Sequence, residues 1–265
     1  SKLYVLLNGS NLVEIISAQT GRHLAAVEIP NVRAVTFADG KAYFTSYAGP
    51  IGMGNEQLGY VVEMDTTTYE LGRKVIVGRQ PEEMVVKDGK LYVANSGGYR
   101  APDYDRTVSV INLDYFAMVK EIDVDINLHH VKTDSRGTVY VTSRGNHAQV
   151  PSALYVIDSL VDKVTAKVDV PVSDLAISGD SAYIYSAEIN DMTGKTSITY
   201  SILDLRTLQV VDKSIVKDGT DADIKMPHGI AVHPMSGDIY ITDARNYVSR
   251  GKIHCYGRDG VLKWS

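Results

Sequence analysis

The chain has 265 residues, with 27 Lys and Arg against 32 Asp and Glu and a formal net charge of −5. That balance gives no large single-sign field, so neither nucleic acid nor an anionic membrane surface is an expected partner. No apolar run approaches the length of a membrane span, no signal-peptide pattern is legible at its start, and the lone Cys255 excludes an intrachain disulfide.

In chain order, an aromatic-centred strand of the K-L-Y-V type recurs around Tyr4, Tyr43, Tyr92, Tyr140, Tyr183 and Tyr240. The spacings of 39, 49, 48, 43 and 57 residues match a repeat of about 40 to 50 residues with several strands per unit, the pattern of propeller blades. The third unit is the clearest. It reads P-E-E-M-V-V-K, Asp88-Gly89, K-L-Y-V-A-N, a polar stretch, T-V-S-V-I-N, and M-V-K-E-I-D-V, four alternating strands A to D in an antiparallel meander. The A to B turns recur as Asp39-Gly40, Asp88-Gly89, Arg136-Gly137, Gly179-Asp180 and Gly237-Asp238, and are read as two-residue hairpins of positive φ. After strand C come Ser17, Asp65, Asn112, Asp158 and Asp204, short polar side chains able to start a turn by bonding their own backbone. Only Gly257 breaks that series.

The expected fold class is therefore all-β, a β-propeller of four-stranded antiparallel blades in one domain, 1–265. Its repeats fall at about 1–30, 31–80, 81–127, 128–171, 172–226 and 227–265. The first repeat opens at its B strand, so 23 strands are expected, one short of six full blades. In such a meander the A to B and C to D turns share one rim, and the B to C and D to A connections emerge on the other. The variable length lies on that second rim, in 46–59, 95–106, 143–152, 187–196, 217–226 and 243–250. Long loops gathered on one face of a rigid scaffold are where binding is usually placed.

Three kinds of chemistry are represented there. His129, His130 and His228 begin A strands at a channel mouth, and His147 lies in a B to C loop. Converging imidazoles suit a metal or an axial ligand to cobalt, but no H-E-x-x-H or C-x-x-C spacing supports a metal site and none is assigned. Glu82, Glu83, Asp174, Glu188, Asp191 and Asp243 fall on the same rim, and Asp103 and Asp105 in one loop; a hydrolase or a calcium site would need such groups at defined separation. The third kind is aromatic and amide-rich: Tyr47, Asn55, Tyr99, Arg100, Tyr104, Asn146, Asn190, Tyr247 and Arg250 combine stacking area with hydrogen-bonding tips. Nucleophile-elbow, P-loop and dinucleotide motifs are absent, so no catalytic residue and no cofactor is assigned. Cys255 is expected to be a packed thiol, Trp264 to pack within its blade, and the repeat tyrosines to be scaffold.

The runs L-Y-V-A-N-S-G-G, V-Y-V-T-S-R-G-N and H-G-I-A-V-H-P resemble the YVTN/YncE-like, surface-layer-type β-propellers. The longer run G-D-I-Y-I-T-D-A-R-N-Y-V-S-R-G, followed by D-G-V-L-K-W-S, resembles the propeller lipoproteins displayed on Bacteroidetes-type bacteria. This resemblance spans essentially the whole chain. It implies a seven-bladed parent, with a lipidated leader and first blade missing before Ser1 and a closing tail missing after Ser265. It also implies a place at the cell surface, the outer membrane or the periplasm. The function it implies is non-enzymatic capture of a small-molecule ligand, in some members a corrinoid such as vitamin B12 passed to an outer-membrane transporter. A protein- or glycan-binding surface scaffold and a lactonase-like, metal-dependent hydrolase remain alternatives.

Overall fold

The computed structural model describes residues 1–50, 56–190 and 195–265. Within them lie 23 strands in six antiparallel sheets. The first sheet has three strands, β1 (Lys2–Leu7), β2 (Leu12–Ser17) and β3 (His23–Glu28). The second comprises β4 (Val32–Ala38), β5 (Lys41–Ser46), β6 (Tyr60–Asp65) and β7 (Leu71–Ile76); the third β8 (Pro81–Lys87), β9 (Lys90–Asn95), β10 (Thr107–Asn112) and β11 (Ala117–Asp123). The fourth holds β12 (Leu128–Thr133), β13 (Thr138–Ser143), β14 (Ala153–Asp158) and β15 (Lys163–Val168). The fifth holds β16 (Asp174–Ser178), β17 (Ser181–Asn190), β18 (Lys195–Asp204) and β19 (Gln209–Asp212), and the sixth β20 (Pro227–Val232), β21 (Ile239–Asp243), β22 (Lys252–Tyr256) and β23 (Leu262–Trp264). Strand order follows chain order in every sheet, so each is a meander, and the expected class, a β-propeller of four-stranded blades with one three-stranded, is the one formed.

The chain divides into two compact units, residues 1–131 with 157–165, and residues 132–156 with 166–265. In the first, Val13 and Ile15 meet Phe44, Val62 and Met64, and Tyr43 and Val61 meet Leu91, Val93 and Ile111. In the second, Leu154 and Val156 meet Ala182, Ile184 and Leu203, and Tyr185 and Tyr200 meet Ile239, Ile241 and Tyr256. Central strands are covered on both faces, as in β9, whereas β7 and β11 are mostly exposed. Burying each such aliphatic or aromatic side chain contributes about 1.5–3 kcal/mol. Among the described residues no helix is long and apolar enough to cross a membrane.

The C to D turns obey a rule. Ser17, Asp65, Asn112, Asp158 and Asp204 each accept a backbone N–H from two or three residues ahead, at 2.7–3.3 Å. Four residues after each comes a residue of left-handed backbone: Gly21, Tyr69, Phe116, Asp162 and Leu208, at φ 68°, 65°, 50°, 51° and 57°. The strands leading into four of these turns carry register shifts, at Ile15/Ile16, Val62/Met64, Val110/Ile111 and Ile202/Leu203. Such a bulge raises local twist and aims the turn sideways. The large left-handed residues use that aim: Phe116 stacks on Tyr43 at 5.9 Å, and Tyr69 and Leu208 join the clusters holding Tyr4 and Tyr140.

The A to B turns correct the sequence reading. Asp39-Gly40 and Asp88-Gly89 have both residues at positive φ, the two-residue hairpin expected. Between β16 and β17 only Gly179 does. Arg136-Gly137 closes a longer loop, in which Asp134 Oδ1 accepts the N–H groups of Arg136 and Thr138 at 2.9 and 3.0 Å. Gly237-Asp238 ends a loop opened by His233, whose Nδ1 accepts from Ser236 at 3.1 Å. A polar side chain two residues (Asp134) or four residues (His233) upstream of the turn pair captures backbone donors and lengthens the turn. The 187–196 connection is also shorter than read, because β17 and β18 stay paired to Asn190 and Lys195.

Candidate functional site

The leading ends of the A strands carry a repeated irregularity. In the second sheet Val32 pairs with Ser46 and Val35 with Phe44, so Arg33 and Ala34 oppose Thr45 alone. In the third, Pro81 pairs with Asn95 and Met84 with Val93, so Glu82 and Glu83 oppose Ala94. A bulge of two residues against one re-aims side chains that would otherwise alternate across the sheet. Thr45 repairs the broken ladder, accepting the Ala34 N–H at 3.0 Å and donating to Glu82 O at 2.9 Å.

The re-aimed groups build a buried polar cluster in the first unit. Glu82, 6 % exposed, accepts the Tyr47 hydroxyl on Oε1, with Ser96 Oγ 3.4 Å from the same oxygen. Its Oε2 lies 3.5 Å from an Arg33 nitrogen and 3.7 Å from His129 Nε2. The Arg33 guanidinium also covers the Tyr47 ring at 4.7 Å. Burial opposes the charge on Arg33, yet Glu82 outweighs it and holds the guanidinium above its ordinary pKa. Burial, then Glu82, pushes the Tyr47 hydroxyl up, so it remains a neutral donor. Beside this, Glu83 Oε2 accepts the Val131 N–H at 2.9 Å and lies 3.2 Å from His130 Nδ1, and the His129 and His130 rings meet edge to face at 4.2 Å.

Tyr99 is where this cluster reaches solvent. Its ring meets Tyr47 edge-on at 6.4 Å and is 51 % exposed. The short turn that carries it, Gly98–Arg100, is tied down on every side. Gln80 Oε1 accepts the Tyr99 N–H at 2.8 Å, and Ser96 Oγ the Gly98 N–H at 3.1 Å. Arg100 is buried and bonded to Glu56 and Asp103, both at 2.8 Å, so its guanidinium braces the loop from within.

In the second unit His228 and Tyr247 pack edge to face at 5.9 Å, both exposed. Tyr247 and Arg245 sit at φ 60° and 56° in a loop braced by Asn246 Oδ1, which accepts from Val248 and Ser249; Arg250 is exposed at its end. Asp243 is buried and accepts the N–H groups of Met226 and Arg245, both at 2.8 Å, and of Lys225 at 3.2 Å. Asp174 is buried, and after burial itself it is the main cause raising the Tyr185 hydroxyl pKa.

The remaining sequence candidates serve their loops or lie apart. Asn146 Oδ1 accepts the N–H groups of Ala148 and Val150 at 3.0 and 2.8 Å, with His147 exposed beside it at φ 58°. Asp105 Oδ2 accepts the Arg79 N–H at 2.8 Å, Tyr104 is half-buried, and Glu188 accepts from Ser152 at 3.2 Å. Asn190 ends β17, while Asn55 and Asp191 lie outside the described residues. Cys255 is buried, as expected of a packed thiol. Among the described residues no group of three or more His, Cys, Asp or Glu is arranged to hold a metal ion. Sequence reasoning missed Arg33, although aligning the A strands places it level with Glu82, His129, Asp174 and His228.

No protein-family model matches the chain, and no curated protein does. Among solved structures it is similar to Kuenenia stuttgartiensis hydrazine synthase, at 14 % identity and a TM-score of 0.74, over 98 % of this chain and 74 % of that one. A likeness at that identity shows the propeller fold alone.

Proposed function

We propose that this chain is a non-enzymatic binding protein that captures a small ligand against Tyr99, on the side where the B to C loops emerge. The observation that carries the reading is the chain Glu82, Tyr47, Tyr99: a buried carboxylate fixes one tyrosine, which backs a second that is half exposed on a fully braced turn. An aromatic face held rigid before binding loses little entropy when a flat or amphipathic ligand stacks on it. The sequence resemblance favours a corrinoid, whose amide fringe suits hydroxyl and imidazole neighbours such as those of His129 and His130, and a cell-surface or periplasmic setting.

Calorimetric titration with cyanocobalamin tests the corrinoid reading. Binding in the micromolar range or tighter, weakened at least tenfold, about 1.4 kcal/mol, by Tyr99→Ala, is the expected result. No heat at micromolar protein sinks the corrinoid version. Binding that Tyr99→Ala leaves unchanged moves the site away from this turn.

A further inference from the structure

Asp243 and His254 are diagonal neighbours on one face of the β21–β22 pair, since Ile241 pairs with His254 and Asp243 with Lys252. That face packs against Tyr185 and Tyr200 of the fifth sheet. His254 is 1 % exposed, and neither Nδ1 nor Nε2 has a hydrogen-bond partner; the buried Tyr200 hydroxyl has none either. Buried polar groups are nearly always satisfied, so an imidazole with both nitrogens idle calls for an account.

Asp243 supplies the other half of that account. Its carboxylate accepts from Lys225 and Met226, at the end of the long 213–226 connection, and from Arg245, at the start of the loop bearing Tyr247. One side chain thus ties two segments together. The connection lies over the seam with Ile215, Val216 and Ile224 buried, and its other anchors are Lys217 N–H to Gly260 O at 2.9 Å and Leu262 N–H to Asp218 Oδ2 at 2.8 Å.

We propose that His254 and Asp243 form an acid-triggered latch. A proton taken from solvent by His254 draws the Asp243 carboxylate toward the imidazolium, and the amides of Lys225, Met226 and Arg245 lose their shared acceptor. The 213–226 connection and the Tyr247 loop then loosen together. The groups acting on the imidazole are Asp243 from β21, Lys252 from β22 and Asp223 from the connection's short helical turn, Thr220–Asp223, with the Tyr256 ring stacked on it; next to these stand Tyr200 of β18, paired in register with Tyr185, and Asp221, which acts on the Tyr200 hydroxyl together with Tyr256 and Asp243. Burial chiefly holds the ring below its ordinary pKa, with Asp243 and Asp223 opposing and Lys252 assisting, so the neutral, latched form prevails at neutral pH.

Hydrogen exchange on the whole chain tests the latch. Between about pH 7.5 and 4.5, a range reaching well below the ordinary imidazole pKa, and after correction for intrinsic rates, protection of the Lys225, Met226 and Arg245 amides should fall roughly tenfold while β9 keeps its own. His254→Phe should remove the response. Unchanged protection in the unaltered protein, or the same acid response in His254→Phe, overturns the proposal. Should His254→Phe fail to fold, an NMR titration of the unaltered protein decides: the His254 ring and the Met226 amide must share one midpoint, and separate midpoints overturn it.

Discussion

The Tyr92 hydroxyl donates to Asp162 Oδ1 at 2.5 Å, and Lys90 Nζ meets Oδ2 of the same carboxylate at 2.8 Å. Tyr92 is a repeat tyrosine and Asp162 the left-handed residue of the next blade's C to D turn, so a feature that looked like a blade counter is a seam between blades. At the same place other blades use Phe116 against Tyr43, or Tyr69 and Leu208 in the clusters of Tyr4 and Tyr140. The bond in the Tyr92 seam is part-buried and charge-assisted. Tyr92→Phe should therefore cost about 1.5–3 kcal/mol, read as a lower urea midpoint with unchanged slope. An unchanged midpoint would remove the seam's polar part from the energetics.

A charge cluster inside the second blade contributes to the acid sensitivity of the first unit. Glu63, buried on β6, bonds Arg73 Nε and Lys41 Nζ, both at 2.8 Å. Burial alone would raise its pKa, but the two cations outweigh it and hold the carboxyl at about 2. A depressed carboxylate stabilises the fold fully above its ordinary pKa of 4.5, and that share is lost as pH falls from about 4.5 toward 2. The shift corresponds to roughly 3 kcal/mol. Glu63→Gln should lower stability by about that amount near neutrality and flatten this part of the acid limb in a pH series of urea melts. A variant retaining the full slope between about pH 4.5 and 2 would assign that limb to other carboxylates.

Most of the fold was legible because propeller blades repeat: the tyrosine spacing and the post-C polar residues fixed 23 strands and five turns by local chemistry alone. The A to B loops at Asp134 and His233 were not, because side chains there compete for backbone donors that the Gly pair was expected to organise. The site was legible in part. Tyr47, Tyr99, Glu82 and His129 were placed on one rim by counting loops, whereas Arg33 and the burial of Glu82 depend on a bulge that alternation hides. Arg100 and Asn146 carried the right residue types for binding, but their polar groups bond the loops that hold them.

Arg33 is the simplest probe of whether the buried cluster preorganises Tyr99. Arg33→Ala leaves the Glu82 carboxylate without its guanidinium and uncovers the Tyr47 ring, a loss of about 3 kcal/mol if the pair behaves as buried pairs do. Arg33→Lys keeps the charge but not the flat stack, and should recover part of the stability while ligand affinity remains reduced. Equal affinity in both variants and the unaltered protein would separate the buried cluster from binding.

Two glycines of positive φ divide turn strain from site geometry. Gly89, at φ 71° in the β8–β9 hairpin, has open space where a side chain would project. Gly89→Ala should cost only the left-handed penalty, about 1 kcal/mol, with Tyr99 undisturbed. Gly97, at φ 52°, precedes the Tyr99 turn, and an added methyl would sit 2.3 Å from the Asp105 backbone nitrogen. That nitrogen donates to Ser96 O at 3.1 Å, so the methyl cannot be accommodated without moving the turn. Gly97→Ala should cost about 3 kcal/mol, and with ligand bound at Tyr99 it should also lower affinity roughly tenfold, about 1.4 kcal/mol, which Gly89→Ala should not. Matched melts and titrations of the two variants make the comparison; an affinity loss of equal size in both would show that general loosening, and not the position of Tyr99, governs binding.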